Sequence, residues 1–292
     1  MIFVSIRILA DSACDLPYSY ISEQGMTFIP LCVHLDGKDY EDDITIKAKT
    51  VYDAMRKGAA PKTSQVSPEL FQKTFIELAK NKQKAIYIAF SSELSGTYQT
   101  AVMIKEQVKE EYPDLDLEII NTKCASLGVG LIVKRAIELS KAGASKEAII
   151  KEVNFYSQHM EHLFTVEKLE YLARGGRISK TSAVVGGLLN IRPLLHVEDG
   201  KLVPLEKIRG KKKLIKRTLE LIKERGVNLD QQTIGISHGD DLEAANEWKQ
   251  AIAEEFGTTS FDIELVGSVV GAHAGPGTIA IFFLNKLYDP QD

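Results

Sequence analysis

"KAIYIAFSSELSGTYQTAVMIKEQV", residues 84–108, joins a short apolar run to a polar turn from Ser91 to Gly96 and then to apolar residues at helical spacing. A brief apolar run bounded by a turn suits a buried strand, and a period near 3.6 suits an amphipathic helix. The grammar is strand, turn, helix. At such a turn the first backbone N–H groups of the helix and the nearby hydroxyls converge, which makes a ready site for an anionic group.

The same grammar recurs on both sides. "LEIINTKCASLGVGLIVKRAIELSKAG" (117–143) repeats it, and "IRILADSACDLP" (6–17) is a strand that stops in a polar turn with Asp11 and Ser12 at its carboxyl end. That position suits a site in an α/β sheet. "MTFIPLCVHLDG" (26–37) reads as one or two further strands. "AMRKGAAPKTSQVSPELFQKTFIELAK" (54–80) reads as a loop feeding a helix, with Pro68 at its first position behind Ser67 as the N-cap. Thr63 and Ser64 then lie just upstream of a helix start. Alternating units of this kind predict an α/β domain over residues 1–160, three-layered around a mainly parallel sheet.

After about residue 160 the rhythm changes. A strand leads to a short helix ending at the paired Gly175 and Gly176, a second helix starts near Ser179, and Asp199-Gly200 is a strong hairpin dipeptide. "QTIGISHGD", "FDIELVGSV" and "GTIAIFFL" supply more strands around two amphipathic helices. Residues 161–292 therefore read as an α+β domain with a mixed or antiparallel sheet. A chain of 292 residues with 44% hydrophobic composition supports two such lobes and a cleft between them.

Charge and composition exclude several function classes. A formal net charge of -4 argues against a surface built throughout to neutralise nucleic acid. Cys14, Cys32 and Cys124 form no C-x-x-C pair, so a reducing cytoplasm fits better than a disulfide framework or a zinc knuckle. "MIFVSIRILA" (1–10) is too short an apolar run to span a bilayer and reads as a buried strand, so no membrane insertion is expected. Neither Gly-rich nucleotide fingerprint occurs, and no metal or cofactor is expected.

The candidate side chains each carry a plain reading beside a functional one. Ser95 in "ELSGTY" is a helix N-cap, a ligand hydroxyl or a nucleophile, although G-x-S-x-G is absent. Thr63 is a routine turn hydroxyl or a ligand contact. His273 is a satisfied structural imidazole or a functional group, and the Gly271, Gly275 and Gly277 spacing lets backbone approach a guest. "HMEH" (159–162) lacks H-E-x-x-H and reads as a solvated helix face, and His34, His196 and His238 show no ligand spacing. "RGKKKLIKR" (209–217) reads as a helix with Leu214 and Ile215 inward and a cationic face outward, with an acidic partner, phosphate or nucleic acid as alternatives. Arg174 and Arg177 flank a glycine pair that reads as a helix C-cap.

Taken together and in order, "DSACDLP", "KTSQVSP", "SSELSGTYQTA", "LEYLARGGRIS", "NIRPLL" and "GAHAGPGTIAIFF" resemble the DegV family of bacterial fatty-acid-binding proteins. The resemblance runs from about residue 6 to residue 285. Ala10 stands where a threonine is common, Val66 where proline is common, and "NTKCASLG" replaces a more acidic start. The resemblance implies a two-domain protein that encloses one long-chain fatty acid between its lobes, with Thr63, Ser95 and His273 holding the carboxylate. It also implies a non-catalytic, acyl-carrying subunit of a fatty acid kinase, whose separate ATP-binding subunit makes the acyl phosphate for phospholipid synthesis. Arg174, Arg177 and Arg209 are then expected at the mouth, facing the kinase or its phosphate. "SAVVGGLLNIRPLL" (182–195) lines the tail or is ordinary core.

Physical chemistry is consistent with that role. Burying about 15 methylenes at ~0.8 kcal/mol each yields on the order of 12 kcal/mol gross, so the head group has only to avoid a large desolvation penalty. Neutral hydroxyls can do this while leaving a carboxylate oxygen able to attack phosphorus. The protonation state of His273 stays open at this level. The competing readings are a serine hydrolase using Ser95 and His273, which lacks an identified acid, and a nucleic-acid regulator resting on residues 209–217.

Overall fold

A computed structural model describes residues 6–179 and 191–289. β1 (Arg7–Asp11) leads through a 3-10 turn to α1 (Tyr18–Gln24), β2 (Thr27–Ile29), β3 (Cys32–Leu35) and β4 (Lys38–Glu41). Then come α2 (Ala48–Arg56), β5 (Lys62–Ser64), α3 (Pro68–Lys80), β6 (Ala85–Ala89), α4 (Thr97–Glu111), β7 (Leu117–Asn121), α5 (Leu127–Lys141) and α6 (Lys146–His159). The chain continues with β8 (Met160–Thr165), α7 (Leu169–Arg174), β9 (Ile191–Glu198), β10 (Lys201–Arg209) and α8 (Lys211–Arg225). It closes with β11 (Thr233–His238), α9 (Leu242–Phe256), β12 (Ser260–Leu265), α10 (Ser268–Ala274) and β13 (Ile279–Leu284).

The first sheet has the order β2-β1-β6-β7 and is parallel throughout. All five residues of β6 are buried, because helices cover both faces. Ile86 and Ile88 enter one core with Ile132 and Val133 of α5, while Tyr87 on the opposite face packs with Phe71 and Phe75 of α3. The second sheet, β10-β9-β8-β13-β11-β12, is antiparallel except for the β11–β12 pair. α5 lies between the two sheets, and Phe164 and Phe282 of the second sheet join the core that contains Ile86 and Ile88. On its outer face the second sheet packs Ile234 and Ile236 against Trp248 and Ile252 of α9.

Local signals act where the sequence places them. Ser67 Oγ accepts the Leu70 N–H at 3.2 Å and caps α3 behind Pro68. Asp199 and Gly200 take φ of 48° and 83° at the tip of the β9–β10 hairpin. One reading, that of "HMEH", needs correction, and two others gain detail. "MTFIPLCVHLDG" divides between two sheets, because β3 leaves the parallel sheet and pairs antiparallel with β4 and β5. "HMEH" is no solvated helix face: His159 ends α6, and His162 stands in β8 at 3% exposure. The period-2 strand wins there because alternate residues must face the shared core. In the basic run, Leu214 is buried as expected, but Lys211 pairs with Glu247 and Arg217 with Glu206 and Glu220, so acids already offset part of the charge. Residues 182–190 of the expected tail-lining segment, and the start of the helix beyond Ser179, lie outside the described residues; Leu195 belongs to the core shared by the two sheets.

Candidate binding site

The site rests on buried carboxylates that hold backbone N–H groups and neighbouring hydroxyls. Asp11, at the end of β1, accepts the Phe90 N–H at 2.9 Å and the Tyr87 hydroxyl at 2.8 Å, and so fixes the chain entering the Ser91–Gly96 turn. Burial raises its carboxyl to about 6 despite these bonds. Asp42 accepts the Ser268 and Val269 N–H groups at 3.1 and 3.4 Å, and Asp15 accepts the Gly267 N–H at 3.0 Å and the Ser126 hydroxyl at 2.5 Å. Two acids from the N-terminal half thus anchor the start of α10, the helix that carries His273. Burial pushes both upward, Asp42 to about 6.

α10 approaches its neighbours closely. A Cβ at Gly271 would meet Tyr52 Oη at 2.5 Å, and one at Gly275 would overlap the Tyr171 ring. These glycines therefore admit protein side chains, not the guest expected from their spacing. Gly175 admits another: a Cβ there would overlap the His273 ring.

His273 Nε2 lies 2.7 Å from Thr63 Oγ1, across 210 residues of chain. Ser95, in the turn before α4, lines the same cavity of about 450 Å³. Its hydroxyl accepts the Thr97 N–H at 3.3 Å and sits 2.9 Å from Thr97 Oγ1, a cap-like contact that coexists with facing the cavity. Burial, followed by the Arg177 and Arg174 charges, holds His273 down at about 4, so at neutral pH it is an uncharged imidazole. Beyond this polar end the wall is mainly apolar and includes Phe90, Phe164, Val269, Ala280 and Phe282.

The three arginines differ. Arg177 is half-buried and lines the cavity; it donates from Nε and Nη2 to the Leu94 carbonyl at 3.0 and 2.8 Å and from Nη1 to the Gly175 carbonyl at 2.6 Å. It clamps the Ser95 turn to the α7 terminus, and burial lowers its pKa. Arg174 is exposed and stacks 5.3 Å from the Tyr171 ring. Arg209 is exposed at the end of β10 and does not line the cavity.

Two further wall residues lie outside the expected head-group set. His162 donates from Nδ1 to the Met160 carbonyl at 3.0 Å and accepts the Ala125 N–H at Nε2, so it is a satisfied, neutral wall group held at about 4 by burial. Gln65, the fourth residue of "KTSQ", bonds Thr100 Oγ1 at 2.7 Å and fills the space a Cβ on Gly96 would need. Only its place in that motif hinted at it. Among the described residues no three His, Cys, Asp or Glu side chains are placed to hold a metal ion, and no helix is long and apolar enough to cross a membrane.

Comparison with known proteins agrees with this architecture. A DegV domain-containing protein of Clostridium perfringens is 39% identical over 97% of this chain and 98% of its own. A solved DegV family protein from Thermus thermophilus, described for its fatty acid binding, has a TM-score of 0.84 at 31% identity, covering 95% of this chain and 98% of that one. A stearic acid-binding protein from Eubacterium ventriosum has a TM-score of 0.86 at 26% identity, covering 96% and 99%. The model of the DegV family, described as uncharacterised proteins, matches residues 5–286, and the chain belongs to that family.

Proposed function

We propose that this protein encloses one long-chain fatty acid in the 450 Å³ cavity, with its carboxylate at Thr63, Ser95 and His273, and presents that carboxylate to a separate ATP-dependent kinase that forms the acyl phosphate. The observation that carries the reading is the Thr63–His273 contact, with Ser95 lining the same mainly apolar cavity. The solved relatives that bind fatty acids support it. An uncharged imidazole and two hydroxyls can solvate a carboxylate more loosely than a cation aimed at it, and Arg177 commits its donors to the Leu94 and Gly175 carbonyls, which leaves an oxygen available to a phosphoryl donor. In this reading residues 1–160 and 161–292 are two lobes around the acyl chain, and Arg174 and Arg209 face the kinase in the cytoplasm. Arg177 supports the Ser95 turn instead. The serine hydrolase reading finds less support. Ser95 bonds Thr97 and His273 bonds Thr63, and His273 Nδ1 faces Gly175 rather than a carboxylate.

Mass spectrometry of freshly purified, denatured protein is expected to show one fatty acid per chain, and acyl phosphate, trapped with hydroxylamine, is expected only when the loaded protein, a fatty acid kinase ATP-binding subunit and ATP are all present. Repeatedly ligand-free preparations that also refuse added palmitate would defeat the proposal. Gly175→Ala is expected to turn the His273 ring away from Thr63 and weaken fatty acid binding by roughly ten- to a hundredfold, the range for losing a hydrogen bond to a charged group. Unchanged affinity in that variant would remove His273 from the head-group site.

A further inference from the structure

Resting on that reading, we infer that the β9–β10 hairpin is the moving gate of the acyl cavity, latched shut by Ser91. Val197 and Leu202, on either side of the hairpin tip, line the cavity. The tip crosses to the N-terminal half, where the wholly buried Ser91 donates its hydroxyl to the Gly200 carbonyl at 2.8 Å. Gly200 is itself buried, unusual for a hairpin tip, and a Cβ there would meet Ser91 Oγ at 2.5 Å while φ already stands at 83°. Two exposed ion pairs flank this bond, Lys123–Asp199 at 3.8 Å and Lys201–Glu93 at 3.5 Å, and pairs of that kind hold weakly.

The rest of the hairpin suits movement. β10 is an edge strand, and its register with β9 shifts between Pro204 and Glu206, a ready hinge in the strand that leaves the tip. Other walls, such as Phe90, Phe164, Phe282 and Val269, are buried in the two cores on either side of the parallel sheet, whereas near its tip the hairpin contributes only the partly buried Leu202 to their packing. Swinging the tip breaks one buried hydrogen bond, two surface pairs and the packing of the partly buried Leu202; moving those aromatic walls would break a core. The turn that receives the latch also carries Ser95, so the gate closes against the head-group end.

A gate lies on the path of both uptake and release, and this gives the test. Loosening the closed state of loaded and empty protein alike speeds both steps and leaves the equilibrium nearly unchanged. Stopped-flow uptake and release of cis-parinaric acid are measured for the wild type, Ser91→Ala, Gly200→Ala and Lys123→Glu. Both rates are expected to rise about tenfold in the first two variants, with affinity within about threefold, and to rise by a smaller factor in Lys123→Glu, whose exposed site spares the fold. Faster release with unchanged uptake would overturn the gate and make Ser91 a support for the head-group turn alone. Wild-type rates in all three variants would overturn it too. A wild type that takes up neither cis-parinaric acid nor palmitate overturns the fatty acid reading, and the gate with it.

Discussion

Ala280→Phe is expected to lower the affinity for a long-chain fatty acid about a hundredfold while leaving the melting temperature at or above that of the wild type. Ala280 sits on β13, opposite Phe164 of β8, with its side chain on the cavity wall. A benzyl group at that point occupies the space of roughly four methylenes of the tail, each contributing ~0.8 kcal/mol, so on the order of 3 kcal/mol of binding is lost. Enlarging a residue in a packed core normally destabilises, but here the added ring enters a void and gains contacts. Isothermal titration with palmitate and a thermal melt of ligand-free protein check the two halves of the claim. Undiminished affinity would mean that the acyl chain lies elsewhere.

The second large effect is in stability against pH. Burial raises the Asp42 carboxyl from 3.8 to about 6, so between those values the native state holds a proton that the unfolded chain has released. Stability derived from this group is therefore complete below pH 4 and declines as pH rises through 6, by about 3 kcal/mol. His273 and His162 act in the opposite sense. Their native values near 4 lie below the ordinary 6.5, so they favour unfolding as pH falls through that window. The wild type is thus expected to show a shallow dependence from pH 4 to 6, where the slopes oppose. Asp42→Asn deletes one of the declining terms. Urea melts at pH 4 and pH 7 are expected to show the wild type losing roughly 2.4 kcal/mol relative to the variant on going to pH 7, because the unfolded carboxyl is already partly ionised at pH 4. Parallel curves would show that Asp42 does not titrate in this range.

Both effects arise from places where a short-range reading was incomplete. The strand, turn and helix of residues 84–108 were legible because covered strands and amphipathic helices impose different periods on apolar residues. Pro68 behind Ser67 and the Asp199-Gly200 dipeptide were legible because their backbone preferences are local. Thr63, Ser95 and His273 entered as candidates through a motif resemblance; each alone had an ordinary structural reading. "HMEH" went wrong because its period is ambiguous over four residues, and the core facing His162 settled it. The spacing of Gly271 and Gly275 allows a guest, yet Tyr52 and Tyr171 are what approach them, because a glycine records that something comes close, not what.

By itself the sequence determined the strand, turn and helix units of residues 84–143, the change from a parallel to a mixed sheet near residue 160, and the membership of a family, since these depend on periodicity and on motifs in a fixed order. Tertiary structure alone decided that Thr63 and His273 meet at 2.7 Å, that His273 is uncharged, and that Arg177 turns inward while Arg174 and Arg209 do not. Each of these depends on how far water is excluded and on which groups from distant segments come within about 3 Å, and no local pattern encodes either quantity.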